Sequence, residues 1–385
     1  MRILVLTPTF LPMVGGAEIV LLEVYRRLAQ RHEVCLLTAD KELPSVDLDR
    51  LINFPVVRYR DRFSFMKFRG HRLTGGVLPP FSLSSVNATR RVVADFRPDV
   101  LNTHYMAHTG LAAVVAQRQL GVPCVLTFPG RDVPGPNTPW FWMYYDRWVA
   151  DMVAEVTFVS DYCRRAIFGP SGHGKGIVIS AGVDLERFNP GLDGLCLRQR
   201  LGLAPEVPIL FAMQRLAPEK RVGIIIRAMP HILVEYPRAI LLIGGSGKSK
   251  PKLVALAQRL GLEQSVRFIG YVPDADLPLY YAVCDVFVFH STYETFGIVL
   301  AEAMAAGKPI VSVRSTAIPE VVIDGETGVL VPPLNARAIA KKVLYLLKAP
   351  SERERLSSNA RSWAERNFDW DMIAAQYEAV LESVA

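Results

Sequence analysis

Short apolar runs alternate with longer amphipathic stretches along almost the whole chain. In the first half the runs fall near Ile3–Leu6, Val34–Thr38, Val100–Thr103, Cys124–Phe128, Val156–Val159 and Ile177–Ile179. Each has strand length, and helical patterns near 17–31, 84–96, 109–120, 138–152 and 161–168 lie between them. The second half restarts the pattern, with strands predicted at Ile209–Met213, Ile240–Ile243, Val266–Ile269, Val286–Phe289, Ile310–Val313 and Val329–Val331. Strands alternating with helices argue for parallel sheets built from crossover units, because parallel neighbours need a long connection.

The fold class that follows is α/β, with two doubly wound, Rossmann-like domains in tandem. The Gly-, Pro- and charge-rich stretch from Pro190 to Pro208 is the predicted connector, giving a first domain over 1–190, a linker over 191–207 and a second domain over 208–365. The tail from Ser351 reads as helical with Trp363, Phe368, Trp370 and Tyr377 as apolar anchors, and its last segment, 366–385, is expected to pack back on the first domain. Ligands of such sheets bind at the carboxyl ends of the strands.

The chain's 385 residues suit two cores, and half of them are hydrophobic. No run approaches the ~20 apolar residues needed to cross a bilayer, and a strand pattern begins at once, so a soluble, cytoplasmic protein is expected. The five cysteines are odd in number and never spaced C-x-x-C, which argues against a disulfide frame or a zinc site. The net charge of +7 is concentrated early, with 24 basic against 18 acidic residues in 1–200 and 20 against 19 beyond. Its densest patch, Arg58 to Arg72, interleaves six basic residues with Tyr59, Phe63, Phe65, Met66 and Phe68. A solvated face, an anionic membrane surface or lipid-linked substrate, and nucleic acid all remain open for it. Nucleic acid has the least support, since no binding module accompanies the patch.

The segment Tyr293 to Pro309 carries the most specific chemistry. Gly297 permits a tight strand-to-helix turn, Ile298 through Ala306 is apolar all round and reads as a buried helix, and Gly307 with Pro309 stops it. Glu294 and Glu302 flank the start of that helix. Free amides there bind anions and carboxylates accept from hydroxyls, so the site suits a ligand with both phosphate and sugar. Arg215 and Lys220 follow the strand Ile209–Met213, where two cations suit a diphosphate. Ile243-Gly-Gly-Ser-Gly-Lys248 is a weaker signal, in which Gly245 either brings backbone to a ligand or makes a tight turn. Gly15 and Gly16, before the first helix, bring its amides close to a phosphate or a hydroxyl-bearing acceptor.

Arg215-Leu-x-Pro-Glu-Lys220, the E-x7-E motif from Glu294 to Glu302, the Gly15-Gly16 loop and Ala181-Gly-Val-Asp-Leu-Glu-Arg-Phe188 together resemble the retaining glycosyltransferases of family 4, across nearly the whole chain. The resemblance implies a GT-B fold with the domains facing a central cleft, and a nucleotide-diphosphate sugar as co-substrate held mainly by the second domain. It also implies an acceptor held by the first, with no metal and no other cofactor. Carried over, Arg215 and Lys220 neutralise the leaving diphosphate. Glu294 with the amides of Phe296 and Gly297 holds the sugar and its phosphate, Glu302 accepts from the ribose hydroxyls, and Gly16 lines the phosphate end. Family members often carry a His where this chain has Pro129, so Arg131, Asp132 and His104 become the candidates for sugar or acceptor contacts, His104 equally suiting a structural hydrogen-bonding role. Gln214, Ala181 and the glycine-free Ser315-Thr-Ala-Ile-Pro-Glu320 are further departures.

The expected reaction is transfer of a hexose from a UDP- or GDP-sugar to a hydroxyl of a lipid-linked, glycan or small-molecule acceptor, by a front-face mechanism. A sugar phosphorylase, a nucleotide-sugar epimerase and a non-catalytic subunit of the same fold are the alternatives. Peripheral association with the inner face of a membrane is the expectation attached to the Arg58–Arg72 patch.

Overall fold

The computed structural model describes residues 1–11, 15–40, 52–61, 81–130, 133, 140–169 and 175–385. These form two compact units, one of Met1–Ala181 with Trp370–Ala385 and the other of Gly182–Asp369.

The first unit is built on a parallel sheet of seven strands: β1 (Arg2–Thr7), β2 (Glu33–Ala39), β3 (Val56–Tyr59), β4 (Val100–His104), β5 (Cys124–Phe128), β6 (Glu155–Phe158) and β7 (Ile177–Val178). Their order is 3-2-1-4-5-6-7. Helices α1 (Gly16–Leu28), α2 (Leu83–Phe96), α3 (Met106–Gln119), α4 (Trp140–Met152) and α5 (Asp161–Phe168) connect them. Strands β1, β4 and β5 are almost wholly buried, which is why they read as continuous apolar runs rather than as alternation. The strand pattern foresaw six of the seven. β3, an edge strand with Val57 and Arg58 exposed, was not foreseen, because its apolar signal is only two valines long.

In the second unit, helix α6 (Leu195–Arg200) lies within the stretch expected to be a linker. A six-stranded parallel sheet follows: β8 (Ile209–Met213), β9 (Ile240–Gly244), β10 (Val266–Gly270), β11 (Val286–Val288), β12 (Ile310–Val313) and β13 (Val329–Val331), in the order 10-9-8-11-12-13. Its helices are α7 (Val222–Leu233), α8 (Lys250–Arg259), α9 (Leu277–Val283), α10 (Ile298–Ala305), α11 (Ile318–Val321), α12 (Ala336–Lys348) and α13 (Pro350–Asn367). The core gathers β8, β9 and β11 side chains such as Leu210, Leu241, Ile243 and Val288 against Ile225, Ile226 and Met229 of α7 and Val343 and Leu346 of α12.

Both sheets share a strand order that reverses at one place, between β1 and β4 in the first and between β8 and β11 in the second. At such a switch point the connections leave to opposite sides, which opens a crevice beyond the strand ends. The tail divides at Asp369. Trp363 and Phe368 stay in the second unit, whereas α14 (Trp370–Val384) belongs to the first and packs on α1. There Trp370 and Tyr377 are buried, Arg27 donates to Asp371 at 2.5 Å, and Glu378 accepts from Arg31 and His32 at 2.6 Å each.

Candidate functional site

The switch point of the second unit brings together the charged residues singled out in the sequence. Beyond β8 the chain makes a 3-10 turn over Pro218–Lys220, with Pro218 at its start presetting the backbone. Lys220 Nζ pairs with Glu294 Oε2 from beyond β11, across 74 positions of sequence. Both side chains are largely withdrawn from water, at 15% and 14% exposure, and Lys220 also lies over the Phe289 ring at 5.9 Å. The two loops are fastened by main-chain bonds as well, since Thr292 N–H and Oγ1 both donate to Glu219 O at 2.9 and 3.0 Å. Gln214 Nε2 adds a bond to Lys220 O at 3.4 Å. Arg215 is more open, 68% exposed and paired with Glu219 at 2.6 Å. It is free to swing toward a ligand at little cost, because an exposed pair is weak.

Gly297 caps α10 with φ of 91°, a backbone that side chains resist, so glycine is required for the turn into the helix. Among the described residues, the amides of Phe296, Gly297, Ile298 and Val299 have no main-chain acceptor. That leaves a small donor array at the helix start. The Phe296 side chain points elsewhere: it is buried and meets Phe368 edge-to-face at 5.3 Å, so only its amide is available to a ligand. Glu294 is held from behind. Its N–H donates to Thr316 Oγ1 at 3.0 Å, and Ala317 N–H donates to its carbonyl at 3.3 Å.

Glu302 sits one turn into α10 and is 7% exposed. It accepts from the Tyr281 hydroxyl at 2.7 Å. Burial pushes its carboxyl up to about 7, against the Tyr281 hydrogen bond and the Arg187 charge, which favour the ionised form. The Ala181–Phe188 string supports this helix. Arg361 of α13 donates to Leu185 O, Phe188 O and Ala305 O at 3.1, 2.8 and 2.7 Å, tying the string to the end of α10.

Gly245 is a turn residue. Its N–H is used by Gly270 O at 2.6 Å, and with φ of 110° a Cβ there would stand 2.1 Å from Gln214 O. The glycine lets the β9 end approach the β8 end, and its amide is engaged within the fold. His290, between β11 and Ser291, is fully buried, accepts from Leu334 N–H at 3.1 Å and is pushed down to about 4 by burial and by Arg221.

In the first unit the switch point carries Gly15 and Gly16 on the β1 side and His104 on the β4 side. Gly15 caps α1 and a Cβ on it would meet Glu18 Oε2 at 2.7 Å, whereas Gly16 has open space around it. Glu18, which the sequence did not single out, is buried and accepts from Thr9 Oγ1 at 2.7 Å, with Tyr105 OH at 3.5 Å. His104 is 2% exposed, and its Nε2 lies 2.9 Å from Tyr25 OH and 3.0 Å from Asn102 Oδ1. Burial pushes the imidazole down to about 3, so it stays neutral, and these contacts fit the structural role left open for it. Arg131, Asp132 and positions 62–72 of the basic patch lie outside the described residues. Within the patch, Arg58 donates to Leu11 O at 2.8 Å.

Among the described residues one group of possible metal ligands occurs, His32, Glu378 and Glu382, in the first unit where α14 packs on α1. Also among them, no helix is long and apolar enough to cross a membrane.

The profile of the glycosyl transferases group 1 matches residues 197–363, and that of the glycosyl transferase 4-like domain matches 15–175. A D-inositol 3-phosphate glycosyltransferase of Actinosynnema mirum is 32% identical over 293 residues, which is 71% of this chain and 69% of the relative. A GDP-mannose-dependent alpha-(1-6)-phosphatidylinositol monomannoside mannosyltransferase of Mycolicibacterium smegmatis is 35% identical over 237 residues, 59% of this chain and 61% of the relative. The chain spans about half to two-thirds of the length of this and the next curated relatives it matches. Among solved structures, Anabaena HepE in complex with UDP has a TM-score of 0.81 at 23% identity, with 100% of both chains covered, which shows a shared fold. Profiles that match in both units, and a relative matched over more than two-thirds of its own length, show that the chain belongs to the glycosyl transferases group 1, the family 4 glycosyltransferases with two Rossmann-like domains of GT-B type.

Proposed function

We propose that this protein is a retaining glycosyltransferase that moves a hexose from a nucleotide-diphosphate sugar to an acceptor hydroxyl. The observation that carries this reading is the Lys220–Glu294 pair beside the unpartnered amides at the start of α10. A cation, an acid and a row of N–H donors at one switch point match a ligand with a diphosphate at one end and hydroxyls around it.

In this reading Lys220 and Arg215 take up the negative charge that develops on the diphosphate as its bond to the anomeric carbon breaks. The amides of Phe296 and Gly297 hold the adjoining phosphate, and Glu294, released from Lys220, accepts from sugar hydroxyls. Glu302 accepts from the ribose. The acceptor oxygen forms its bond to the anomeric carbon on the face the diphosphate leaves, and a leaving phosphate oxygen takes the acceptor proton. Two side-chain cations stand in for the divalent ion that other transferases use. A hydroxyl-bearing small molecule, glycan or lipid-linked sugar is the acceptor class, and an anionic membrane surface is the partner proposed for the basic patch.

GDP-mannose, named for the mycolicibacterial relative, and UDP, bound in the Anabaena structure, set the first donors to test. Release of nucleoside diphosphate from a GDP- or UDP-hexose, followed with and without acceptor, tests the reading. Acceptor-dependent release with the anomeric configuration kept is the expected result. Conversion of the donor sugar without release would mark an epimerase, and formation of a sugar 1-phosphate from a glycoside and inorganic phosphate would mark a phosphorylase.

A further inference from the structure

Tyr281 lies on α9, fully buried, 21 positions before Glu302 and outside every motif that points to the reaction. Its hydroxyl is 2.7 Å from Glu302 Oε2 and 3.2 Å from Val299 O. A phenol has one proton, and the shorter contact to a carboxylate is the one that keeps it. Three rings fix the phenol in place: Phe188 at 5.6 Å, Phe211 at 5.3 Å and Phe287 at 5.3 Å, the first two edge-to-face. Among the described residues the hydrogen bond made to the Glu302 carboxylate is that to Oε2, and Oε1 accepts none.

We infer that Tyr281 is the positioning residue for Glu302: its hydroxyl holds Oε2 inside the unit and leaves Oε1 as the oxygen that accepts from a nucleotide hydroxyl. The inference rests on the donor reading for the identity of the ligand, whereas the hold of Tyr281 on Glu302 stands apart from it. It also explains how an acid can be kept in a nearly closed site. An unpartnered buried carboxylate would take up a proton and accept poorly, and a fixed phenol donor opposes that. The groups facing the pair are Arg187, which favours the carboxylate, Asp274, which opposes it and itself pairs with Arg187 at 2.8 Å, and the buried Cys284 next to the phenol. The Arg187 charge and Phe188 ring come from the Ala181–Phe188 string, so that string supports the same carboxylate from a second side.

The test is Tyr281→Phe, which removes one oxygen from a site lined by phenylalanines. Binding of UDP and of GDP is measured by titration calorimetry from about pH 6 to about pH 9, a window that brackets a carboxyl raised toward neutrality. The carboxyl infrared band of Glu302, identified by its loss in E302Q, is titrated in parallel without nucleotide. The expected result is nucleotide affinity about tenfold weaker near neutral pH, the size of one lost hydrogen bond to a charged group. The infrared midpoint and the midpoint of the binding profile should both move to higher pH. A merely structural tyrosine would change thermal stability and leave both midpoints where they were, and unchanged midpoints with unchanged affinity overturn the inference. If the wild-type protein binds neither UDP nor GDP, the donor reading fails and the infrared titration alone decides the role of Tyr281. Should the variant not fold, the wild-type tyrosine C–O band that is altered in E302Q replaces it. That band is expected to shift with the same midpoint as the Glu302 carboxyl, and its independence of pH would contradict the inference.

Discussion

Lys220 Nζ and Glu294 Oε2 are bonded to each other across the switch point of the second unit, so the cation proposed for the diphosphate is neutralised by the acid proposed for the sugar. In the proposed reading a nucleotide competes with Glu294 for Lys220. Removing the acid unmasks the cation: Glu294→Gln is predicted to bind a nucleoside diphosphate several-fold more tightly than wild type while losing transfer, whereas Lys220→Ala binds it more weakly. Calorimetric titration with UDP and GDP checks the opposite signs, and equal affinities in the two variants would contradict the competition.

Thr316 is β-branched and has φ of 47°, in the left-handed region such residues avoid. Its hydroxyl accepts from Glu294 N–H at 3.0 Å, which offsets part of a strain of about 1–3 kcal/mol. Thr316→Gly relieves the strain and leaves that amide without its acceptor. The prediction is a melting temperature close to wild type with a clear loss of turnover, read by thermal unfolding and by donor consumption.

Glu302 is held protonated to a higher pH in the folded chain than in the unfolded one, its carboxyl standing at about 7. The folded state binds the extra proton between the unfolded value near 4.5 and about 7, so the stability of this group is full below the lower value and is lost as pH rises through the higher. Glu302→Gln removes that dependence. It is predicted to raise stability at pH 8 by on the order of 1–3 kcal/mol, with little change at pH 5, while weakening nucleotide binding. Denaturant unfolding at the two pH values gives the difference directly.

Gly245→Ala places a Cβ 2.1 Å from Gln214 O in a backbone of positive φ. A loss of about 2–4 kcal/mol of stability is expected, together with weaker donor binding because the β8 loop that carries Arg215 must move. Chemical unfolding measures the first and nucleotide titration the second.

The strands of both sheets were legible because parallel strands covered on both faces read as unbroken apolar runs, as Val286 to Phe289 does. β3 was not, since an edge strand with Val57 and Arg58 exposed carries little pattern. Lys220, Glu294 and Gly297 could be picked out because each follows a strand end at short range, where topology alone fixes the location. Tyr281, Thr316 and Arg361 could not. Their contacts join segments 21, 22 and more than 170 positions apart, and nothing local distinguishes a buried tyrosine from one that holds a carboxylate. A signal for Thr316 did exist, because it lies in the stretch Ser315 to Glu320 that departs from the family by having no glycine, and its positive φ gives that departure a physical meaning.

The most direct test of the account is turnover of a GDP- or UDP-hexose, with acceptor present, by wild type, Lys220→Ala and Glu294→Ala, each verified as folded by circular dichroism. Acceptor-dependent release of nucleoside diphosphate by wild type, lowered about 100-fold or more in both variants, is the predicted result. Release by either variant at the wild-type rate would contradict it.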